Sequence, residues 1–240
     1  MENKSSAKTI FIDALLLCLI TIFAALCLGT VYEITKKPIE AARKKAENKA
    51  LSAVIPGAHN FTAIPKEFSI VDPEDVLRDN GFEKIKVEDT KIVFDENENG
   101  IGYVMRIISS IGYSGDIIFL LGYRFDGTVT GIEFLEVSES PGLGLNIKED
   151  FFKNDFKNKK AKSFRYIKNR DKNIPKNDGD VDALSGATIS TNAVVKAVNA
   201  GICYAESLAA KQIGFSEIQK KSQFTENQRN AETADFKNKE

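Results

Sequence analysis

Tryptophan is missing from this 240-residue chain, histidine occurs once, at His59, and cysteine three times, at Cys18, Cys27 and Cys203. No two cysteines form a Cys-x-x-Cys pair, which argues against a zinc site or a disulfide framework. Cysteine and histidine together are too scarce to ligate an iron–sulfur cluster or a haem. With one histidine, in a loop, no Ser-His-Asp or Cys-His set is available for nucleophilic catalysis. Charge of one sign is not in excess either: 33 Lys and Arg stand against 34 Asp and Glu. That balance, with no nucleic-acid-binding motif, argues against DNA or RNA as a partner. No glycine-rich dinucleotide fingerprint follows a strand, so direct nicotinamide binding is not expected. Internal repeats are absent. A redox role must therefore use an organic cofactor or none.

What is present begins with a long apolar run. Residues 10–31 read IFIDALLLCLITIFAALCLGTV, interrupted only by Asp13, a few hydroxyls and Gly29. About 20 such residues cross a bilayer as a helix, and Tyr32 follows at an interfacial position. The length favours an uncleaved anchor over a signal peptide, and no polar face repeats as it would in a buried soluble helix. Asp13 within the run reads either as the mark of a helix contact or ion path or, lying only a few residues inside, as an acid that reaches the interface. Basic residues Lys36, Lys37, Arg43, Lys44 and Lys45 outnumber Lys4 and Lys8. Counted alone, they would place the following domain in the cytoplasm, although long domains cross largely regardless of charge.

Residues 38–53 are rich in Ala, Lys and Glu and predict a charged helix starting at Pro38, a favoured first helical position. Short strands are expected over 84–88 and 91–94. The strongest β signal spans Gly102 to Ser138: strands at 103–109, 116–125 and 129–137, the last two joined by an Asp126-Gly127 turn. The strand at 116–125 is apolar on both faces, as an interior strand covered by helix would be. In the third strand the apolar alternation Val129, Ile132, Phe134, Val137 contains a phase slip. Then come the loop Glu139-Ser140-Pro141-Gly142-Leu143-Gly144, an amphipathic helix near 148–157 and a short strand near 163–168, with Phe151, Phe152, Phe156 and Phe164 as anchors. Residues 190–211 carry apolar residues at helical spacing. The residues after Gly214 are polar, with too few apolar side chains to fold alone.

Just before that last helix stands Asp182-Ala183-Leu184-Ser185-Gly186-Ala187-Thr188. Small residues around a hydroxyl at a helix N-terminus can hold a phosphate, because free backbone N–H groups and the helix dipole both favour an anion there. A plainer reading is that Ser185, Thr188 or Ser190 caps the helix, worth ~1 kcal/mol.

Three elements in chain order behind a single N-terminal anchor resemble the FMN-binding domain family: Gly112-Tyr113-Ser114-Gly115-Asp116-Ile117, the Glu139–Gly144 loop and the Asp182–Thr188 run. Within it the chain is similar to the G subunits of Rnf-type ion-translocating electron transport complexes, with the C subunits of sodium-pumping NADH:quinone oxidoreductases as relatives. The resemblance, which covers nearly the whole chain except the tail, implies an α+β chain: a 1–9 cytoplasmic N-terminus, a 10–32 membrane helix, a 33–56 juxtamembrane helix or linker, and an FMN-binding domain over 57–213 on an antiparallel sheet with flanking helices; the polar composition of 214–240 makes it a disordered tail. The resemblance also implies one FMN per chain, joined through its phosphate to Thr188, with Asp182, Ser185, Gly186 and Ala187 completing the attachment motif. Glu139, Ser140, Leu143, Gly144 and Tyr113 would surround the ring. Implied partners are the other membrane subunits of such a complex and a flavin transferase for maturation. The chain would be a single-pass protein of the cell membrane with an extracytoplasmic domain, carrying electrons as one part of a translocase. A free-standing flavin reductase and a non-redox anchored interaction domain are the alternatives.

Overall fold

The computed structural model describes residues 7–64, 71–168 and 175–210. The chain divides into two compact units between Asn48 and Lys49.

Helix α1 runs over Ala7–Val54, and its first 42 residues belong to the first unit. Every side chain described from Thr9 to Ile34 is exposed, Phe11 by 71 % and Leu28 by 73 %. The hydroxyls in this stretch return to the helix itself: Thr21 Oγ1 donates to the Cys18 carbonyl at 2.9 Å and Thr30 Oγ1 to the Leu26 carbonyl at 2.8 Å. In hydrocarbon every polar group needs such an internal partner. Residues 10–32 would extend roughly 35 Å at 1.5 Å per residue, enough for a hydrocarbon core of about 30 Å. Pro38 lies inside the helix rather than at its start. The turns on either side supply enough hydrogen bonds to carry the helix past the one that proline cannot donate.

The second unit is a five-stranded antiparallel meander in the order β1 (Asn60–Ala63), β2 (Ile85–Phe94), β3 (Gly100–Ser109), β4 (Ile117–Arg124), β5 (Val129–Val137). The α+β class is as the sequence implied. The two short strands expected at 84–88 and 91–94 are one strand. A bulge at Asp89, whose φ is 44°, interrupts its pairing between Glu88 and Lys91. An odd number of extra residues reverses which side chains face the core, and so Ile85 and Val87 before the bulge share a core with Ile92 and Phe94 after it. Strand β5 shows the same device twice. Its register against β4 shifts between Gly122 and Tyr123 and again between Ile118 and Phe119. The single slip visible in the sequence is thus two.

Two short helices precede and follow parts of this sheet. Helix α2 (Pro73–Asp79) leads into β2, and α3 (Asp150–Lys153) follows β5. The long helix α4 (Thr188–Ala210) covers one face of the sheet. Val194, Val198, Ile202 and Ala205 pack with Met105, Ile107, Phe119 and Leu121, all at most 2 % exposed. The other face carries a smaller core of Val93, Val104 and Leu120 beneath Ala50, Leu51, Val54 and Ile55, the last turn of α1 and the residue after it. Strand β4 is therefore covered on both sides, as its composition requires. Gly122 permits the second contact, since a Cβ there would stand 2.6 Å from Val54 Cγ1. The buried Thr130 hydroxyl donates to the Val54 carbonyl at 2.5 Å, satisfying an acceptor that the helix end leaves open.

The stretch expected as one helix near 148–157 is three short pieces: a 3₁₀ turn at Gly144–Lys148, α3, and a 3₁₀ turn at Asn154–Phe156. Phe152, Phe156 and Phe164 pack in series, the first pair edge-to-face and the second tilted, with centroids 5.6 and 5.2 Å apart. Phe151 is not an anchor; it is 61 % exposed, because adjacent residues on a helical turn cannot both face the core. The strand near 163–168 is β6 (Arg165–Ile167), which pairs in parallel with β7 (Asp180–Asp182). The expected tail over 214–240 lies outside the described residues.

Candidate functional site

Three loops meet at the N-terminus of α4. The first, 110–116, joins β3 to β4. The second, 138–143, leaves β5. The third, 183–187, joins β7 to α4. Together they wall a cleft of about 380 Å³.

From the first loop comes Tyr113, 70 % exposed, and from the second Leu143, 49 % exposed. Ile189 on α4, 51 % exposed, completes an apolar lining. Glu139 fastens two of the loops: its Oε1 accepts the Tyr113 N–H at 2.7 Å. Ser114 and Ser140 stand hydroxyl to hydroxyl at 3.4 Å beside that tie. Glu139 is only 8 % exposed, and its Oε2 is buried without a hydrogen-bond partner. The second loop turns back on itself through Leu145 N–H donating to the Ser140 carbonyl and Asn146 Nδ2 donating to the Gly142 carbonyl, each at 3.1 Å. Gly142 has φ 74°, a conformation that glycine adopts without strain.

Thr188 is the first residue of α4 and half-buried. The N–H groups of an α-helix's first turn have no intrahelical acceptor, so those of Thr188, Ile189 and Ser190 are open to a ligand. Gly186, with φ 74°, brings the third loop against the second, where a Cβ would stand 2.9 Å from Leu143 Cδ2. Thr191, which sequence reasoning missed, holds the third loop in place. Its Oγ1 accepts the Leu184 N–H at 3.2 Å and donates to the Ala187 carbonyl at 3.0 Å. A second hydroxyl one turn into the helix was the available signal.

Of the residues named from the sequence, Tyr113, Glu139, Ser140, Leu143, Gly144, Gly186, Ala187 and Thr188 line this one cleft. Asp182 and Ser185 do not. They line a neighbouring depression on the far side of the third loop, with Asn146 and Phe151. There Lys176 pairs with Asp155 and, at 3.1 Å, with Asp182, while Asp155 Oδ2 accepts the Asp182 N–H at 2.8 Å. The lone His59 stands at the entry to β1. No cluster of metal-ligating side chains occurs among the described residues.

The donor set suits a flavin mononucleotide. A phosphate would meet open N–H groups and the positive end of a helix dipole, and a planar ring would meet apolar side chains and one buried acceptor. The cleft volume falls in the range of about 300–1,000 Å³ usual for small-molecule sites.

Known proteins carry the same two parts. Residues 112–202 match the FMN-binding domain and residues 1–54 the RnfG N-terminal region. The chain is 29 % identical over 216 residues to the G subunit of the Na(+)-translocating ferredoxin:NAD(+) oxidoreductase complex of Acetobacterium woodii, covering 87 % of this chain and 100 % of that one. It is 30 % identical over 204 residues to the G subunit of the ion-translocating oxidoreductase complex of Methanosarcina acetivorans, covering 83 % and 96 %. A crystal structure of Shewanella oneidensis NqrC aligns with a TM-score of 0.44 at 19 % identity, over 70 % of this chain and 72 % of that one. With a relative at this identity matched over nearly its whole length, the chain belongs to the family of G subunits of ion-translocating oxidoreductase complexes.

Proposed function

We propose that this protein is a membrane-anchored flavoprotein that relays electrons within an Rnf-type ion-translocating complex, through one FMN joined covalently to Thr188. The observation that carries the reading is the convergence of Thr188, the open N-terminus of α4 and the Leu143–Gly144 loop on one cleft. The family membership and the names of the relatives support the complex as its setting. Bound FMN supplies the electron chemistry; the protein holds it and sets its potential.

Attachment replaces one bond to phosphorus by another. The Thr188 Oγ loses its proton and bonds the flavin's phosphorus, while the bond from that phosphorus to a leaving group breaks and the leaving group departs with the electron pair. A simple phosphate monoester does not condense with an alcohol in water. The donor is therefore a flavin carried as a phosphoric anhydride, and a flavin transferase delivers it. Gly186 and Ala187 leave the approach to Thr188 uncrowded. Asp182 and Ser185, lying outside the cleft, serve attachment rather than ring binding. Leu143 and Tyr113 would cover the ring, and the Gly144 N–H and Ser140 would stand at its edge. One helix spanning the bilayer forms no ion path, so ion movement belongs to partner membrane proteins of the complex. The domain faces away from the cytoplasm, which an impermeant thiol reagent on an engineered surface cysteine would test in intact cells.

Thr188→Val and Thr188→Ser separate the covalent role from a capping role. In full-length chain co-produced with a flavin transferase, Thr188→Ser keeps flavin fluorescence after denaturing electrophoresis and Thr188→Val loses it, with the fold unchanged in both. Fluorescence retained in Thr188→Val would move the attachment elsewhere.

A further inference from the structure

The wall of the cleft beside Gly144 holds two polar atoms, the buried Glu139 acceptor and a hydroxyl with no role so far. A Cβ on Gly144 would stand 2.7 Å from Glu139 Oε2 and 2.6 Å from Ser190 Oγ. Both atoms therefore converge on the one face of the second loop that bears no side chain. Glu139 Oε2 can only accept a hydrogen bond, and it is buried with no donor. Leaving such an atom unpaired is costly, and more so when the group is charged. The other carboxylate oxygen is already used by the Tyr113 N–H. Ser190 is 1 % exposed and lies in the first turn of α4, and its hydroxyl can donate.

From this pairing of an acceptor with a donor we infer that Glu139 and Ser190 read the pyrimidine edge of the isoalloxazine, Glu139 Oε2 accepting its imide N3–H and Ser190 donating to an adjacent ring carbonyl. That edge offers acceptor, donor, acceptor in sequence, and an N–H flanked by carbonyls is what a lone buried carboxylate oxygen beside a hydroxyl selects. The inference rests on the proposed function, because it needs a flavin in this cleft. It has a redox consequence. A carboxylate held against the ring disfavours the electron density that reduction adds, and so keeps the flavin's potential low. Gly144 is then required for recognition as well as for the turn, since any side chain would cover both atoms.

The test uses the full-length chain in detergent, carrying FMN labelled with ¹⁵N at N3, as wild type and as Glu139→Gln and Ser190→Ala. Glu139→Gln keeps a carbonyl for the Tyr113 N–H but places an N–H₂ group where Oε2 stood, so a merely structural Glu139 tolerates it. We expect slow N3–H exchange with solvent in the wild type, at least tenfold faster exchange in Glu139→Gln, and a flavin potential shifted positive in that variant. Ser190→Ala accelerates exchange less and leaves the potential closer to wild type. Exchange in the wild type as fast as in free FMN, or unchanged in Glu139→Gln, overturns the inference while leaving the flavin reading intact. Absence of FMN from the wild-type chain overturns both.

Discussion

Two helices of nearly equal apolar length put their side chains to opposite uses. Residues 10–32 of α1 are bulky, Leu, Ile and Phe on every side, and all of them are exposed. The 23 residues of α4 are small, with Ala, Val, Gly, Ser and Thr predominating, and most are buried. Bulk without a preferred face suits a lipid surround, which contacts all directions alike. Small residues let a helix lie close on a sheet. At Gly201 a Cβ would come within 2.4 Å of Leu121 Cδ2 and 2.6 Å of Ile107 Cδ1, whereas at Gly29 in α1 nothing stands within 4 Å. Hydrophobicity alone does not separate the two helices; side-chain size and the direction of burial do. In the proposed attachment the close seat of α4 matters because its first residue is Thr188, and the sheet thereby fixes where that hydroxyl stands.

Removing residues 1–32 should have the largest effect. The full chain should partition into a detergent phase, and the shortened chain should move wholly into the aqueous phase with its circular dichroism still that of a folded α+β domain. Persistence in the detergent phase would mean that the second unit has a membrane-binding surface of its own. Next comes Phe119→Ala, beneath α4 and fully buried, expected to cost about 3–5 kcal/mol in denaturant unfolding. The sharpest form of the comparison is one substitution made in each helix. Gly201→Val overpacks the sheet contact and should cost about 1–3 kcal/mol, while Gly29→Val should change the domain's unfolding by less than about 0.5 kcal/mol. Equal effects would break the distinction.

The smallest effect is one of pH. Burial in the same core pushes the Tyr103 hydroxyl from its ordinary 10.0 up to about 12. A raised phenol means that the folded state keeps a proton the unfolded state releases. This contribution is full below the ordinary value of 10.0 and is lost as the pH rises to about 12. Unfolding midpoints followed over that interval should fall in the wild type and fall less in Tyr103→Phe.

Much of this was legible from the chain. The meander announced itself through alternation and the Asp126-Gly127 turn, where Gly127 has φ 88° and Asp126 Oδ1 accepts the Thr128 N–H at 2.9 Å. The three loops of the cleft were each marked by glycine beside a hydroxyl or aromatic residue. What escaped notice has physical reasons. Strand β1 is four residues long and half-exposed, too short for a period to show. The continuity of β2 was hidden by its bulge, which reverses the apolar phase in mid-strand. Strand β7, the unforeseen partner of β6, is three residues long, and its Asp180 pairs with Arg165 on β6 at 2.9 Å, so polar side chains hold what apolar ones usually announce. Asp182 and Ser185 fell on the far side of their loop because motif spacing gives proximity along the chain and not the direction in which each side chain points. Thr191 was missed because its task is a pair of bonds back to residues 184 and 187, which only the folded turn brings within reach.

The most direct measurement is peptide mass mapping of the full-length chain matured with a flavin transferase. Trypsin releases residues 177–196 as one peptide, since no Lys or Arg lies between Lys176 and Lys196. The account predicts that this peptide carries one FMN, less the water lost in forming the ester, and that fragmentation places it on Thr188 rather than on Ser185, Ser190 or Thr191. An unmodified peptide, in cells where a control substrate of the same transferase is labelled, would contradict it.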